Sequence, residues 1–244
     1  MKAMIFAAGL GTRLWPITKN LPKALVQINN KPLLEWVIQR LKCFGVEKII
    51  VNVHQYADQI TNFLENKNNF GIHIEISDER EYLLDTGGGL KKASWFFSDN
   101  EPFIVHNVDV ISDINFYEMT EFHKHHNSLV TLAVRNRTSS RYLLFNDENL
   151  MCGRENTRSQ STYISRDVEK YNKLAFSGIQ IISPEIFHYI EESGAFSIVD
   201  LYLRLSKHYN IYGYSHDESA WYDVGRPEDL KRAAIFLKDN TAFQ

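Results

Sequence analysis

Two hydrophobic patterns alternate along the chain. Short, mostly apolar runs at Ala3–Ala7, Ile49–Val53, Phe103–Val108 and Leu129–Val134 predict strands buried on both faces, the kind found in parallel sheets. Between the first two, Leu33, Leu34, Val37, Ile38 and Leu41 recur at helical spacing, and Gly45 supplies the stop. Ile60, Phe63 and Leu64 make a second, shorter helical face. A further helix is expected over Leu90–Phe97, after a loop of three glycines, Gly87, Gly88 and Gly89. Strands that alternate with helices imply crossover connections and a covered sheet. The expected fold class is α/β, Rossmann-like, with a mixed and mostly parallel sheet. From Leu143 the pattern turns more β-like: a polar stretch over 146–172 reads as a hairpin plus an irregular excursion, and Leu174–Ile182 as a long strand. A final helix is expected from Pro227, at or near its first turn, to Lys238.

Composition narrows the picture. The 244 residues are 44% hydrophobic, enough for one large core, and no proline-, glycine- or serine-rich linker divides them. A single domain over 1–244 is expected. A net charge of −3 argues against a nucleic-acid partner, which would call for a basic stripe. No apolar run approaches the length of a membrane span, and the N-terminus lacks a signal pattern. Two cysteines, Cys43 and Cys152, are too few for a disulfide framework and point to a reducing, cytoplasmic setting.

The candidate chemistry starts where the first strand ends. Ala7-Ala8-Gly9-Leu10-Gly11-Thr12-Arg13 is followed ten residues later by Lys23. Open α/β sheets bind ligands at such strand ends. Two glycines let the backbone approach a ligand closely, and exposed N–H groups there can hold phosphate oxygens. Arg13 adds a planar fork and Lys23 a mobile point charge. The loop is built for a polyanion, a nucleotide first among them. Leu14 stands where a dinucleotide-binding loop needs its third glycine, no acidic residue follows at the ribose spacing, and no glycine-lysine-serine/threonine triplet of a P-loop occurs.

The segment AAGLGTRLWP…LPKAL resembles the signature of sugar-1-phosphate nucleotidylyltransferases. The resemblance continues through Asp85-Thr86-Gly87-Gly88-Gly89, Asn107-Val108-Asp109, Phe176-Ser177-Gly178-Ile179 and Trp221-Tyr222-Asp223-Val224-Gly225. Five motifs in the family's order span almost the whole chain, which resembles short members of mannose-1-phosphate guanylyl- and N-acetylmuramate-1-phosphate uridylyltransferase type. The resemblance implies the nucleotide-diphospho-sugar transferase fold without an appended β-helix domain. It also implies an enzyme joining an NTP and a sugar-1-phosphate into an NDP-sugar, with pyrophosphate leaving and Mg²⁺ as cofactor.

By the same resemblance, Asp109 and Asp223 hold the metal, a role two strand-end carboxylates suit. Arg13 and Lys23 complete the catalytic set: Arg13 takes the β- and γ-phosphates, and Lys23 bridges the α-phosphate and the sugar phosphate. Ala8, Gly9, Gly11, Thr12, Arg13, Gly87, Gly88 and Gly89 belong to the nucleotide site. Lys23, Asn52, Asn107, Ser177, Gly178 and Glu169 belong to the sugar-phosphate site, with Lys170 beside Glu169. Many relatives carry glycine where this chain has Val108. Two rival readings are a cytidylyltransferase acting on phosphocholine or a similar phospho-alcohol, and a non-catalytic nucleotide-sugar-binding regulator. Base, sugar and oligomeric state, a homo-oligomer included, stay open at this level. His123, His125 and His126 read as a solvated helix end, and Trp36 and Trp95 as packing residues.

Overall fold

The computed structural model describes residues 1–239. In chain order it runs β1 (Lys2–Phe6), the short pair β2 (Gln27–Ile28) and β3 (Lys31–Pro32), α1 (Leu33–Cys43), β4 (Lys48–Val53), α2 (Ala57–Asn66) and β5 (His73–Asp78). Then come α3 (Asp85–Lys92), β6 (Phe103–Asn107), β7 (Val110–Ser112), α4 (Phe116–His125), β8 (Val130–Arg135), β9 (Arg141–Phe145) and β10 (Met151–Asn156). The remainder is β11 (Ser161–Ile164), β12 (Asn172–Ile182), α5 (Ile198–Leu205), β13 (Ile211–Ser215), β14 (Trp221–Asp223) and α6 (Pro227–Asp239). Two compact units share these elements. The first holds Met1–Leu84, Ile104–Asp113 and the chain from Ala220 onward; the second holds Asp85–Phe103 and Ile114–Ser219.

In the first unit β1 lies between β6 and β4, with β5 beyond β4, and all three pairings are parallel. Ala3, Met4 and Ile5 on β1, and Ile49, Ile50 and Val51 on β4, are fully buried, the unbroken apolar runs that parallel strands require. α1 buries Leu33, Leu34, Val37, Ile38 and Leu41, each worth roughly 1.5–3 kcal/mol against exposure. It ends as expected near Gly45, which adopts φ +75° and donates its N–H to the Lys42 carbonyl. Trp36 packs as expected, 5% exposed, with its indole N–H on the Ile28 carbonyl at 3.0 Å.

The second unit carries the strand order β11-β10-β9-β12-β8-β13. Every neighbouring pair is antiparallel except β8 and β13. β12 is long because it serves two partners in succession: Asn172–Leu174 pair with β9, and the strand from Ala175 to Ile182 pairs with β8. Its register on β8 breaks between Phe176 and Gln180, where Gly178 takes φ +76°. Together the units give the mixed, Rossmann-like α/β fold with helices over the strands.

Three local expectations change. The glycine triplet is not a loop before a helix: α3 begins at Asp85, so Gly87, Gly88 and Gly89 fall inside it and are buried. Asp85 itself has φ +56°, and its Oδ1 accepts the Thr86 N–H at 2.6 Å. A Cβ at Gly87 would stand 2.3 Å from the Phe196 ring, so packing demands glycine at a helix position that ordinarily disfavours it. Trp95 is 59% exposed, on a 3₁₀ turn past the end of α3. His123 is 1% exposed rather than solvated, because the last turn of α4 rolls it under toward Thr131 and Ser183.

Candidate active site

β1 delivers Ala7 and Ala8, both buried, and the chain then turns out into the exposed Gly9-Leu10 pair. Gly11 sits at φ +64°, and a Cβ there would lie 3.0 Å from that of Lys23 and 3.1 Å from the Thr18 methyl. Conformation and crowding thus both call for glycine. Its carbonyl accepts the Thr18 hydroxyl at 2.9 Å and the Leu14 N–H at 3.0 Å. Fully buried Leu14 pins the short helical turn Thr12–Leu14. Gly9 differs: a Cβ there would meet nothing in the protein.

The entry to the loop is braced from beneath. The Ala7 N–H donates to Asn52 Oδ1 at 2.7 Å, and the Asn52 amide donates to Glu79 Oε1 at 2.8 Å. Glu79 Oε2 accepts the Leu84 N–H at 3.2 Å. Asn52 and Glu79 are 3% and 1% exposed, so their hydrogen bonds are formed where water cannot compete. The structure therefore places Asn52 under the loop as a brace. Glu79 went unnoticed in the sequence because it stands in a run of charges, Asp78-Glu79-Arg80-Glu81, with nothing to mark it as the buried one.

Two aspartates meet through a strand pairing. β7 and β14 are antiparallel, with Asp223 opposite Val110, and the Val224 N–H donates to the Asp109 carbonyl at 2.8 Å. Ser112 and Asp113 hold the far end of the pairing, through the Ala220 carbonyl and N–H, both at 2.7 Å. Val108 fits without strain: it is buried, its N–H donates to the Phe6 carbonyl, and its φ lies outside the left-handed region. Asn107 closes β6 opposite Phe6.

The cations converge on these carboxylates. Lys23, 8% exposed, is bonded to Asp109 Oδ2. Arg13 lies between both acids, with Nη2 3.9 Å from Asp109 Oδ2 and Nη1 3.6 Å from Asp223 Oδ2. Its side chain is 56% exposed, so it can turn toward an incoming anion. Gly225 makes room for it: a Cβ there would come within 2.9 Å of both the guanidinium carbon and Asp223 Oδ1. The Gly225 N–H also donates to Asp223 Oδ1 at 3.1 Å. On β6, His106 is buried with Nδ1 2.8 Å from the Asn107 carbonyl; burial pushes its pKa down to about 4, so this imidazole is neutral at physiological pH.

Arg13, Lys23, Asp109 and Asp223 are therefore brought together within one unit. The donor set suits Mg²⁺, which takes one or two carboxylates and completes its shell with phosphate and water oxygens. Among the described residues no cluster of three or more histidine, cysteine or acidic side chains forms a closed metal cage.

A sequence model described as nucleotidyl transferase matches residues 2–240. The chain belongs to the nucleotidyl transferase family. Among similar proteins, a mannose-1-phosphate guanyltransferase of Yarrowia lipolytica is 31% identical over 241 residues, covering 97% of this chain and 64% of the relative. Mannose-1-phosphate guanyltransferase beta-A of Xenopus laevis is 33% identical over 238 residues, covering 94% and 62%. The chain thus spans a little under two thirds of the length of these relatives. A UDP-glucose pyrophosphorylase from Acinetobacter baumanii superposes with a TM-score of 0.78 at 18% identity, covering 99% of this chain and 95% of that one, a likeness of fold.

The other sequence-predicted residues lie in the second unit. Gly87, Gly88 and Gly89 are buried within α3, where the Gly87 N–H donates to the Phe196 carbonyl at 2.9 Å. Ser177 and Gly178 occupy the irregular part of β12, both buried. Ser177 Oγ lies 2.7 Å from Nε2 of His216, an imidazole 5% exposed whose pKa burial pushes down to about 4. His216 was invisible in the sequence, since 39 residues separate it from Ser177. Glu169 and Lys170 are exposed in the segment between β11 and β12.

Proposed function

We propose that this protein joins a sugar-1-phosphate to a nucleoside triphosphate, forming an NDP-sugar and pyrophosphate. The observation that carries the reading is the convergence of Arg13 and Lys23 on the paired carboxylates Asp109 and Asp223 beside a glycine loop whose Gly9 is required neither by backbone conformation nor by packing. A glycine without an internal reason leaves space for a ligand to approach the backbone. The relatives' names make mannose-1-phosphate and GTP the first pair to try, with glucose-1-phosphate and UTP next.

In the reaction an oxygen of the sugar phosphate forms a bond to the α-phosphorus as the bond from that phosphorus to the pyrophosphate oxygen breaks. Both reactants are anions, so positioning and charge neutralisation dominate the barrier. Asp109 and Asp223 would hold Mg²⁺, which neutralises charge on the phosphate oxygens when bound. Half-exposed Arg13 would exchange its long contacts with the two carboxylates for bidentate contacts with the terminal phosphates. Buried Lys23, held by Asp109, would present its ammonium to the α-phosphate and the incoming sugar phosphate. The Glu79-Asn52-Ala7 chain keeps the loop entry in place.

Ala8, Gly9, Gly11, Thr12 and the α3 glycines Gly87, Gly88 and Gly89 are assigned to nucleotide binding. Lys23, Asn107, Ser177, Gly178 and Glu169 are assigned to the sugar phosphate, with Asn52 acting on it through the loop. Cys43 and Cys152 are unpaired, and no described helix is long and apolar enough to cross a membrane; a cytoplasmic setting is assigned on these grounds.

Pyrophosphate release is the test, measured with Mg²⁺ over a grid of NTPs and sugar-1-phosphates. Release with one pair, lost on removing Mg²⁺, is expected. A folded protein that binds NTP yet releases no pyrophosphate with any sugar phosphate, but does so with CTP and phosphocholine, would replace this reading.

A further inference from the structure

β14 is only three residues long, and its pairing with β7 is what brings Asp223 to Asp109. A two-stranded ladder this short has little stability of its own, so its register has to be fixed from outside. The register matters because successive side chains of a strand point to opposite faces. Tyr222 turns toward α6, its ring centroid 5.4 Å from that of Phe236. Asp223 points the other way, toward Arg13. A slip of one residue would exchange the two and carry the carboxylate off the site.

Beyond the ladder itself, the near end is tied by the bond from the Val224 N–H to the Asp109 carbonyl, at 2.8 Å. The far end is tied by three bonds on one residue. The Ala220 N–H donates to Asp113 Oδ1 at 2.7 Å. The Ala220 carbonyl accepts the Ser112 hydroxyl at 2.7 Å and the Asp113 N–H at 3.3 Å. Only one register lets Ala220 meet all three. The bond to the Asp113 carboxylate is the charge-assisted one among them.

Asp113 is held in turn from α1. Arg40 Nη2 donates to the Asp113 carbonyl at 3.1 Å. Arg40 is 9% exposed, and its guanidinium carbon lies 4.4 Å from the centre of the Phe44 ring, a contact that steadies the side chain. Burial pulls the Arg40 pKa down, and the Asp113 carboxylate works against that shift. Burying an arginine is unfavourable unless its charge is matched, and here the match is the residue that clamps Ala220.

We propose that Asp113, steadied by Arg40, is a positioning residue that sets the register of β14 and so presents Asp223 beside Asp109. The proposal rests on the reading of these two aspartates as the metal pair; Asp113 and Arg40 act on the metal only through them. Residues that orient a metal ligand from behind typically change metal affinity or activity by roughly tenfold to a hundredfold.

The test is amide-resolved NMR of the whole chain, with Mn²⁺ as the probe. Cross-strand contacts of Tyr222 with Ile111 and of Asp223 with Val110 report the register. Broadening of the Val110 and Val224 amides by Mn²⁺ reports the metal. In Asp113→Ala the cross-strand contacts are expected to vanish while those between β1 and β4 persist, and half-broadening should need about tenfold more Mn²⁺. Arg40→Met should move the Mn²⁺ midpoint the same way by a smaller factor, and Arg40→Lys should restore most of it. Should Asp113→Ala not fold, Asp113→Asn keeps an acceptor for Ala220 without the charge and is read in the same way, with a smaller shift expected. The proposal is overturned if the variant keeps the cross-strand contacts at wild-type strength, or loses them without moving the Mn²⁺ midpoint. A wild-type chain whose Val110 and Val224 amides do not respond to Mn²⁺ refutes the metal reading instead, and the cross-strand contacts then decide whether Asp113 sets the register.

Discussion

The two units handle buried polarity in opposite ways. In the first, charge is concentrated: two carboxylates, a lysine and an arginine meet at the ends of β6, β14 and the loop after β1. In the second, the buried polar groups are neutral: His123 between two hydroxyls, His216 on Ser177, and Tyr202 donating to Gln180 at 3.1 Å. Opposed charges at close range are costly to desolvate unless they partner each other or a ligand. Their placement at an open strand end suits a polyanionic substrate and a metal. Neutral histidines need no such partner, so they can stiffen a core or line a cavity.

The sharpest way to break this contrast is to remove one charge from the first unit. Asp109→Asn or Asp223→Asn is expected to lower kcat about a hundredfold or more with the fold intact by circular dichroism. Near-normal pyrophosphate release from either variant would withdraw that residue from the metal site. Lys23→Ala is expected to raise KM for the sugar phosphate more than for the NTP. An unchanged sugar-phosphate KM would remove the bridging role.

The second contrast is read by pH. His106, His123 and His216 are all pushed down to about 4 by burial, below the ordinary value of 6.5. A depressed folded-state pKa means that the unfolded chain binds the proton first as pH falls. The stabilisation is complete above about 6.5 and is lost progressively down to about 4. For His106 and His123 the loss is about 3 kcal/mol each. Denaturant midpoints measured across this window should fall with pH, and the slope should be shallower in His123→Gln. Two of the three histidines lie in the second unit, so hydrogen exchange there should respond more than in the first.

The smallest effects separate two glycines. Gly87→Ala places a Cβ 2.3 Å from the Phe196 ring and is expected to cost about 1–3 kcal/mol of stability by overpacking. Gly225→Ala places one 2.9 Å from the Arg13 guanidinium. It should leave the melting temperature nearly unchanged while lowering kcat/KM for the NTP by roughly tenfold, as Arg13 is displaced. Equal stability losses in the two variants would mean that Gly225 serves packing alone.

Much of the first unit was legible because its signals are local. Mostly apolar runs mark parallel strands, Gly45 marks a helix end, and the loop motif carries its own conformational need at Gly11. Asp109 and Asp223 were recognisable as strand-end acids, each inside a motif. The second unit was harder to read, because its buried polar groups act in pairs distant in the chain, Ser177 with His216 and His123 with Ser183. His123 looked solvated among three closely spaced histidines, and only the roll of α4 buries it. The glycine triplet looked like a loop, since no local rule states that Phe196 will lie against Gly87.

What the sequence determined by itself is whatever depends on periodicity and short motifs: the α/β class, the order of most strands and helices, the glycine loop after β1, and Arg13, Lys23, Asp109 and Asp223 as candidates for the site. What only the tertiary structure decided is proximity. The β7–β14 pairing brings the carboxylates together, Gly225 admits Arg13 between them, and Glu79 reaches Ala7 through Asn52. Those outcomes depend on distances between residues far apart in the chain, set when strands pair and side chains pack, and no local pattern encodes them.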